Sequence, residues 1–227
     1  MNQKTTTTPL MQMEREMLDF FRRKRPPEPL SVDQLKKLAK VLIIDDEEPK
    51  ELRELLKKEG WKNYHLNDLD ALSNKRLEES HIICIDIMGV GRKLQAEDGM
   101  GLIKHIKGRH PEKKVILYSS HSKQDIFSDA LDHVDKRLRK ESSLLPFVTA
   151  IEEMAAKTFS WDETIKYAYE KVKDMIGEKI DYDHFKELAE KSITKNGWNE
   201  NIFMKKAGVG LDISSKIASL ISLVTAS

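Results

Sequence analysis

The run Ile82-Ile83-Cys84-Ile85, closed at once by Asp86, constrains this chain more than any other stretch. An unbroken apolar run of that length suits a strand covered on both faces, as in a parallel sheet. Short strand-like stretches recur at Val41–Ile44, Tyr64–Leu66, Val115–Tyr118 and Arg137–Arg139. Each of the five is followed by a helical pattern. Glu47–Glu59 carries Leu52, Leu55 and Leu56 and stops at Gly60; Leu69–Glu79 follows the second strand. Gly99–Arg109 carries Leu102, Ile103 and Ile106 and stops before Pro111; Asp125–His133 and Leu144–Lys157 complete the series. Strand then helix, five times over, predicts an α/β fold: a doubly wound, five-stranded parallel sheet with right-handed crossovers.

The alternation accounts for residues 40–158 and leaves both ends over. Residues 1–39 read as a polar tail, Met1–Pro9, then an amphipathic helix from Leu10 to Lys24 with Leu10, Met13, Met17 and Phe20 on its seam. Pro26 and Pro27 end that helix, which is too short to stand alone. Ser31–Lys40 is expected to add a helical turn or two. Residues 159–227 carry only helical patterning. Ser160 and Glu163 form a capping box, and Trp161, Ile165, Ala168, Val172 and Met175 share the face that follows. Tyr182, Phe185, Leu188, Ala189 and Ile193 make a second face, stopped by Asn196-Gly197. Asn199–Lys206 is a third helix, and Asp212 is expected to cap a last one along Ile213, Ile217, Leu220, Ile221 and Val224.

Composition excludes several classes. Of 227 residues, 39% are hydrophobic and 34% charged, which gives a core inside a heavily solvated surface. A net charge of +1 supplies no footprint for nucleic acid or an anionic membrane. The stretch Met204–Leu220 resembles a helix-turn-helix faintly, but the tail has no basic excess, so nucleic acid is not the expected partner. The single cysteine, Cys84, rules out an intrachain disulfide or a cysteine-ligated zinc. No stretch is apolar enough to cross a bilayer, and the start lacks a secretory segment, so a cytoplasmic protein without membrane attachment is expected.

Strand ends carry the chemistry. In an open parallel sheet, ligands gather past the carboxyl ends of the strands. The first strand ends in Asp45-Asp46, with Glu47 and Glu48 behind, and the third ends in Asp86. In this sheet order those ends are neighbours. Converging carboxylates repel unless a cation sits among them, and oxygen donors with room for water suit Mg2+. The same DDEE stretch also reads as an acidic helix start, and Asp86 as a turn cap. Val115–Tyr118 leads into Ser119-Ser120, and Arg137–Arg139 into Lys140.

With VLIIDDE, IICID, DGMGLIKHIKGRHP, KVILYSS and RLRKE in that order, residues from about Val41 to Ala156 resemble the receiver domain of a two-component response regulator. The resemblance implies a flavodoxin-like fold and a signalling role in a phosphorelay. By it, Asp86 accepts a phosphoryl group, while Asp45 and Asp46, with Asp86 and the Met88 carbonyl, hold magnesium. Ser119 and Lys140 contact the phosphoryl group. It further implies a phosphoacceptor rather than an enzyme, with only self-phosphorylation and slow self-dephosphorylation of its own. The partner would be a sensor histidine kinase or phosphotransfer protein, and output would pass through the helical ends. Two unpaired apolar stripes on one small chain point to a homodimer through the terminal helices.

The chain departs from the family pattern. The segment after Asp86 is several residues longer than usual, Gly89–Glu97, and is expected to overhang the site. Arg137 stands where a switch aromatic is usual, and Glu141 where a proline is usual. His121 follows Ser120 and reads as an exposed loop histidine. A second expectation therefore stands beside the first: a receiver-like interaction or assembly module without phosphotransfer.

Overall fold

The computed structural model describes residues 28–96, 98–120, 132–140, 143–177, 180–194 and 197–225, with backbone alone at 197 and 222–225. The expected helix Leu10–Lys24, most of Asp125–His133, and Glu97, His121 and Glu141 lie outside the described residues. The described residues divide into two compact units, Leu30–Phe159 and one from Ser160 onward.

In the first unit the elements are α1 (Val32–Leu38), β1 (Lys40–Ile44), α2 (Lys50–Lys58), β2 (Lys62–Leu66), α3 (Lys75–Glu79) and β3 (Ile82–Asp86). They continue with α4 (Gly99–Arg109), β4 (Lys114–Ser119), β5 (Lys136–Arg139) and α5 (Leu145–Thr158). All five strands are parallel, in the order β2-β1-β3-β4-β5, which is the flavodoxin-like doubly wound order. Strand periodicity sorts the apolar residues onto two faces. Leu42, Ile44, Ile83, Ile85, Val115 and Leu117 meet Leu77 of α3 and Leu102, Ile103 and Ile106 of α4 in one cluster. Val41, Ile43, Cys84, Ile116 and Tyr118 are buried on the alternate positions, and Tyr118 packs edge-on against Phe147 of α5, 5.5 Å between ring centres. Each fully buried isoleucine contributes about 1.5–3 kcal/mol, so this double burial makes the sheet the frame for everything above it. The register sets Asp86 beside Tyr118, and Ser119 beside Arg139.

Two helices of this unit are shorter than their apolar spacing predicts. The stretch Glu47–Glu59 is helical only from Lys50, because Glu48 precedes Pro49 and the residue before a proline is pushed out of the helical region. Leu69–Glu79 is helical only from Lys75. Asp68 accepts from Leu69 N, Asp70 from Asn74 Nδ2, and Asn74 from Arg76 N, so short polar side chains take the local bonds a helix would use.

The second unit holds α6 (Trp161–Ile176), α7 (Tyr182–Lys191), α8 (Glu200–Ala207) and α9 (Leu211–Thr225). It is not wholly helical: β6 (Ile193–Thr194) pairs antiparallel with β7 (Gly197–Trp198). An Asn-Gly pair signals a hairpin as readily as a helix stop. Phe185 is its aromatic centre, with Tyr169 at 5.4 Å and Phe203 at 5.6 Å. The α6 face ends at Val172, because Met175 is exposed. Among the α9 residues whose side chains are described, Ser214, Ile217 and Ile221 are buried, and Asp212 lies in the first turn rather than capping it.

Candidate functional site

Asp45, Asp46 and Asp86 converge past the carboxyl ends of β1 and β3, each offering an oxygen within 4.8 Å of the others. Asp45 and Asp86 are buried and Asp46 is exposed. Both Asp45 oxygens are engaged: Oδ1 accepts Glu47 N at 3.0 Å, and Oδ2 accepts the Tyr118 hydroxyl at 2.7 Å. Lys140, just past β5, closes the group. Its Nζ lies 2.7 Å from Asp86 Oδ2 and 3.0 Å from Asp45 Oδ2. Asp86 Oδ1 accepts Ile87 N at 2.7 Å.

Burial raises the Asp86 carboxyl above its ordinary value and the Asp45 charge adds to it, while Lys140 and the Ile87 amide pull it back. Lys140 is held above the usual lysine value: burial opposes its charge, and the two carboxylates outweigh burial. With both ion-pair contacts at 3.0 Å or less, we take Asp86 as the anion at neutral pH. Burial pushes the Tyr118 phenol far above its ordinary range, so it remains a neutral donor toward Asp45.

The backbone beneath the acids is tied from the end of β2. His65 Nε2–H donates to the Asp45 carbonyl at 2.8 Å, and Asn67 Nδ2 to the Asp46 carbonyl at 3.1 Å. Glycines let the chain after β3 close over them. Gly89 has φ +80°, and a Cβ there would collide with the Asp46 carboxylate. Gly99, at the start of α4, lies against the Asp86 carbonyl, where a Cβ has no room. Asp98 caps α4 by accepting from Met100 N and Gly101 N.

The long segment after Asp86 does not hang free. Asp68 accepts from Gly91 N at 2.6 Å and Lys93 N at 3.1 Å, and Val90 and Ala96 are buried in the core cluster. Met88 is 54% exposed just past β3. Ser119 is buried at the end of β4, and its carbonyl accepts Lys140 N at 3.1 Å. Arg137 is exposed on β5. The sequence-predicted set Asp45, Asp46, Asp86, Ser119 and Lys140 is thus gathered at one edge of the sheet. Tyr118, His65 and Asn67 were not predicted. Tyr118 reads as core, and no local pattern singles out the other two.

A cleft of about 400 Å³ opens beside Asp45 and Lys140, walled by Pro49, Leu52, Tyr118, Leu144 and Phe147. Carboxylate oxygens alone, one of them solvent-exposed, form a donor set that fits a hard cation retaining its water.

No protein-family model matches the chain, and no curated protein does. Its fold is similar to those of solved response-regulator receiver domains. The beryllofluoride-activated NtrC4 receiver domain dimer is 25% identical over 52% of this chain and 98% of that one, TM-score 0.46. A CheY-like receiver domain protein from Methanospirillum hungatei JF-1 is 16% identical over 53% of this chain and 96% of that one, TM-score 0.44. NtrX from Brucella abortus, in complex with ATP, is 20% identical over 60% of this chain, TM-score 0.46. That match spans 34% of the NtrX chain. The sheet order defines the first unit as a doubly wound α/β unit of the flavodoxin-like class, with three acids gathered at the ends of its strands.

Proposed function

We propose that this chain is a phosphorylatable signalling protein that takes a phosphoryl group onto Asp86 from a partner histidine kinase or phosphotransfer protein. One observation carries the reading: three strand-end carboxylates within 4.8 Å, with one lysine bridging the two buried ones. A carboxylate is a weak nucleophile toward phosphorus, so the protein's task is alignment and charge neutralisation. Asp45, Asp46 and Asp86, with the Met88 carbonyl, are the proposed Mg2+ ligands. Magnesium, when bound, screens the phosphoryl oxygens. An Asp86 carboxylate oxygen forms the new O–P bond as the donor's P–N bond breaks, and the histidine nitrogen keeps the electron pair. Lys140 Nζ then follows the added negative charge, with the Ser119 hydroxyl as a second contact. Output passes through the second unit to a protein partner or a second copy. Gly208 to Gly210 does separate α8 from α9 in helix-turn-helix fashion. From Ser160 onward the sequence carries ten lysines against eleven Asp and Glu, so that unit lacks the excess of phosphate-binding charge that DNA affinity needs.

A second reading, an interaction module without phosphotransfer, is favoured by exposed Arg137 and by the pinned loop after Asp86. Intact-mass measurement after incubation with acetyl phosphate and magnesium separates the two. One added phosphoryl mass on the wild type, and none on Asp86→Asn, is the expected result. An unlabelled wild type, where a control receiver is labelled, favours the second reading.

A further inference from the structure

Tyr118 sits one residue short of the hydroxyl expected to serve the phosphoryl group, and strand alternation turns it to the other face. Its ring is fixed edge-on by Phe147 and lies under the Lys140 ammonium, 5.4 Å from Nζ to the ring centre. Its hydroxyl donates to Asp45 Oδ2, the same oxygen that Lys140 reaches at 3.0 Å. A carboxylate oxygen presents about two lone-pair sites, so phenol and ammonium fill Oδ2 between them. A cation taking Oδ2 must therefore displace one of them. The phenol is held in a packed, buried position; Lys140 is a long side chain, 29% exposed, with Asp86 as its alternative anion. The ammonium is the group that yields.

Resting on the reading of the acidic cluster as a divalent-cation site, we infer that Tyr118 is a positioning residue for that cation. Its phenol holds the Asp45 carboxylate in its binding orientation and keeps one Oδ2 site filled, so that binding at Oδ2 releases Lys140 from Asp45 toward Asp86. Removing an outer partner of this kind usually weakens metal affinity by about 10–100-fold.

The test uses the full chain and magnesium alone, without a phosphodonor. Calorimetry gives the affinity, and an ultraviolet difference spectrum follows the tyrosines through the same titration. Wild type is expected to show a tyrosine change that saturates with the calorimetric isotherm. Tyr118→Phe keeps the ring packing and loses the donor. It is expected to lack the spectral change and bind magnesium about tenfold more weakly, with a native circular dichroism spectrum. Wild-type affinity in Tyr118→Phe overturns the inference and leaves the cation site standing. A wild type that binds magnesium with no tyrosine change overturns it too, and that arm does not depend on the variant folding. A wild type that binds no magnesium removes the cation site and this inference together.

Discussion

Gly99 lies where a side chain has no room, because any Cβ would run into the Asp86 carbonyl. Its own amide donates to the Ile87 carbonyl at 2.8 Å, so the backbone cannot retreat without breaking that bond. Gly99→Ala is expected to cost about 1–3 kcal/mol, the usual penalty of forced overpacking, read as a lower urea midpoint. Because the strain falls on the residue that carries the acid, phosphoryl uptake is expected to slow as well. A variant as stable as wild type would mean that the segment after β3 has slack. The acids themselves were legible in the sequence, since each ends an apolar run or faces one across a known sheet order. Tyr118, His65 and Asn67 were not. The reach of Tyr118 to Asp45 is a side-chain bond across β3, which strand order alone does not specify.

At the scale of elements, β3 begins behind His81, whose ring packs on Phe159 with centres 5.0 Å apart. Its Nδ1 accepts the Lys40 amide at 3.2 Å, which requires the neutral ring. Burial, with Lys113 and Lys40 adding to it, depresses the His81 pKa to about 4. A histidine depressed when folded binds its proton more readily unfolded, so stability is full above the unfolded value of about 6.5 and falls as pH drops toward about 4. The loss is expected to reach on the order of 2–3 kcal/mol in urea titrations between those limits. His81→Phe is expected to flatten that slope, and an unchanged slope would assign it to other groups. The loop after Asp86 offers a second check. Asp68→Ala orphans the Gly91 and Lys93 amides and is expected to cost about 1–3 kcal/mol. Amide exchange at Gly91 and Lys93 should quicken; unchanged protection would show that burial of Val90 and Ala96 suffices. The five strands of the parallel sheet were legible to within two residues, because apolar runs are local. Helices α2 and α3 were over-read, because Pro49 and the Asp-Asn side-chain bonds override apolar spacing.

For the whole molecule, every strand of the five-stranded sheet and every residue of the acidic site falls within Leu30–Phe159. A fragment with those limits is expected to fold cooperatively and bind magnesium as the full chain does. A fragment that is molten, or blind to magnesium, would make the second unit part of the site's support. We expect the full chain to dimerise through its terminal helices and the fragment to be monomeric, with light scattering as the readout. Among the described residues Leu211 and Met175 are exposed on the second unit, and no helix is long and apolar enough to cross a membrane. The β6–β7 ribbon was illegible because two-residue strands carry no periodicity.

The central claim is that Asp86 accepts the phosphoryl group, and its most direct measurement locates the modification rather than detecting it. Protein treated with acetyl phosphate and magnesium, then with borohydride, has any aspartyl phosphate reduced to homoserine, which peptide mass spectrometry places in the chain. Homoserine at position 86 in the wild type, and at no position in Asp86→Asn, is the expected result. Homoserine at position 45 or 46, or at none while a control receiver is converted, would contradict the account.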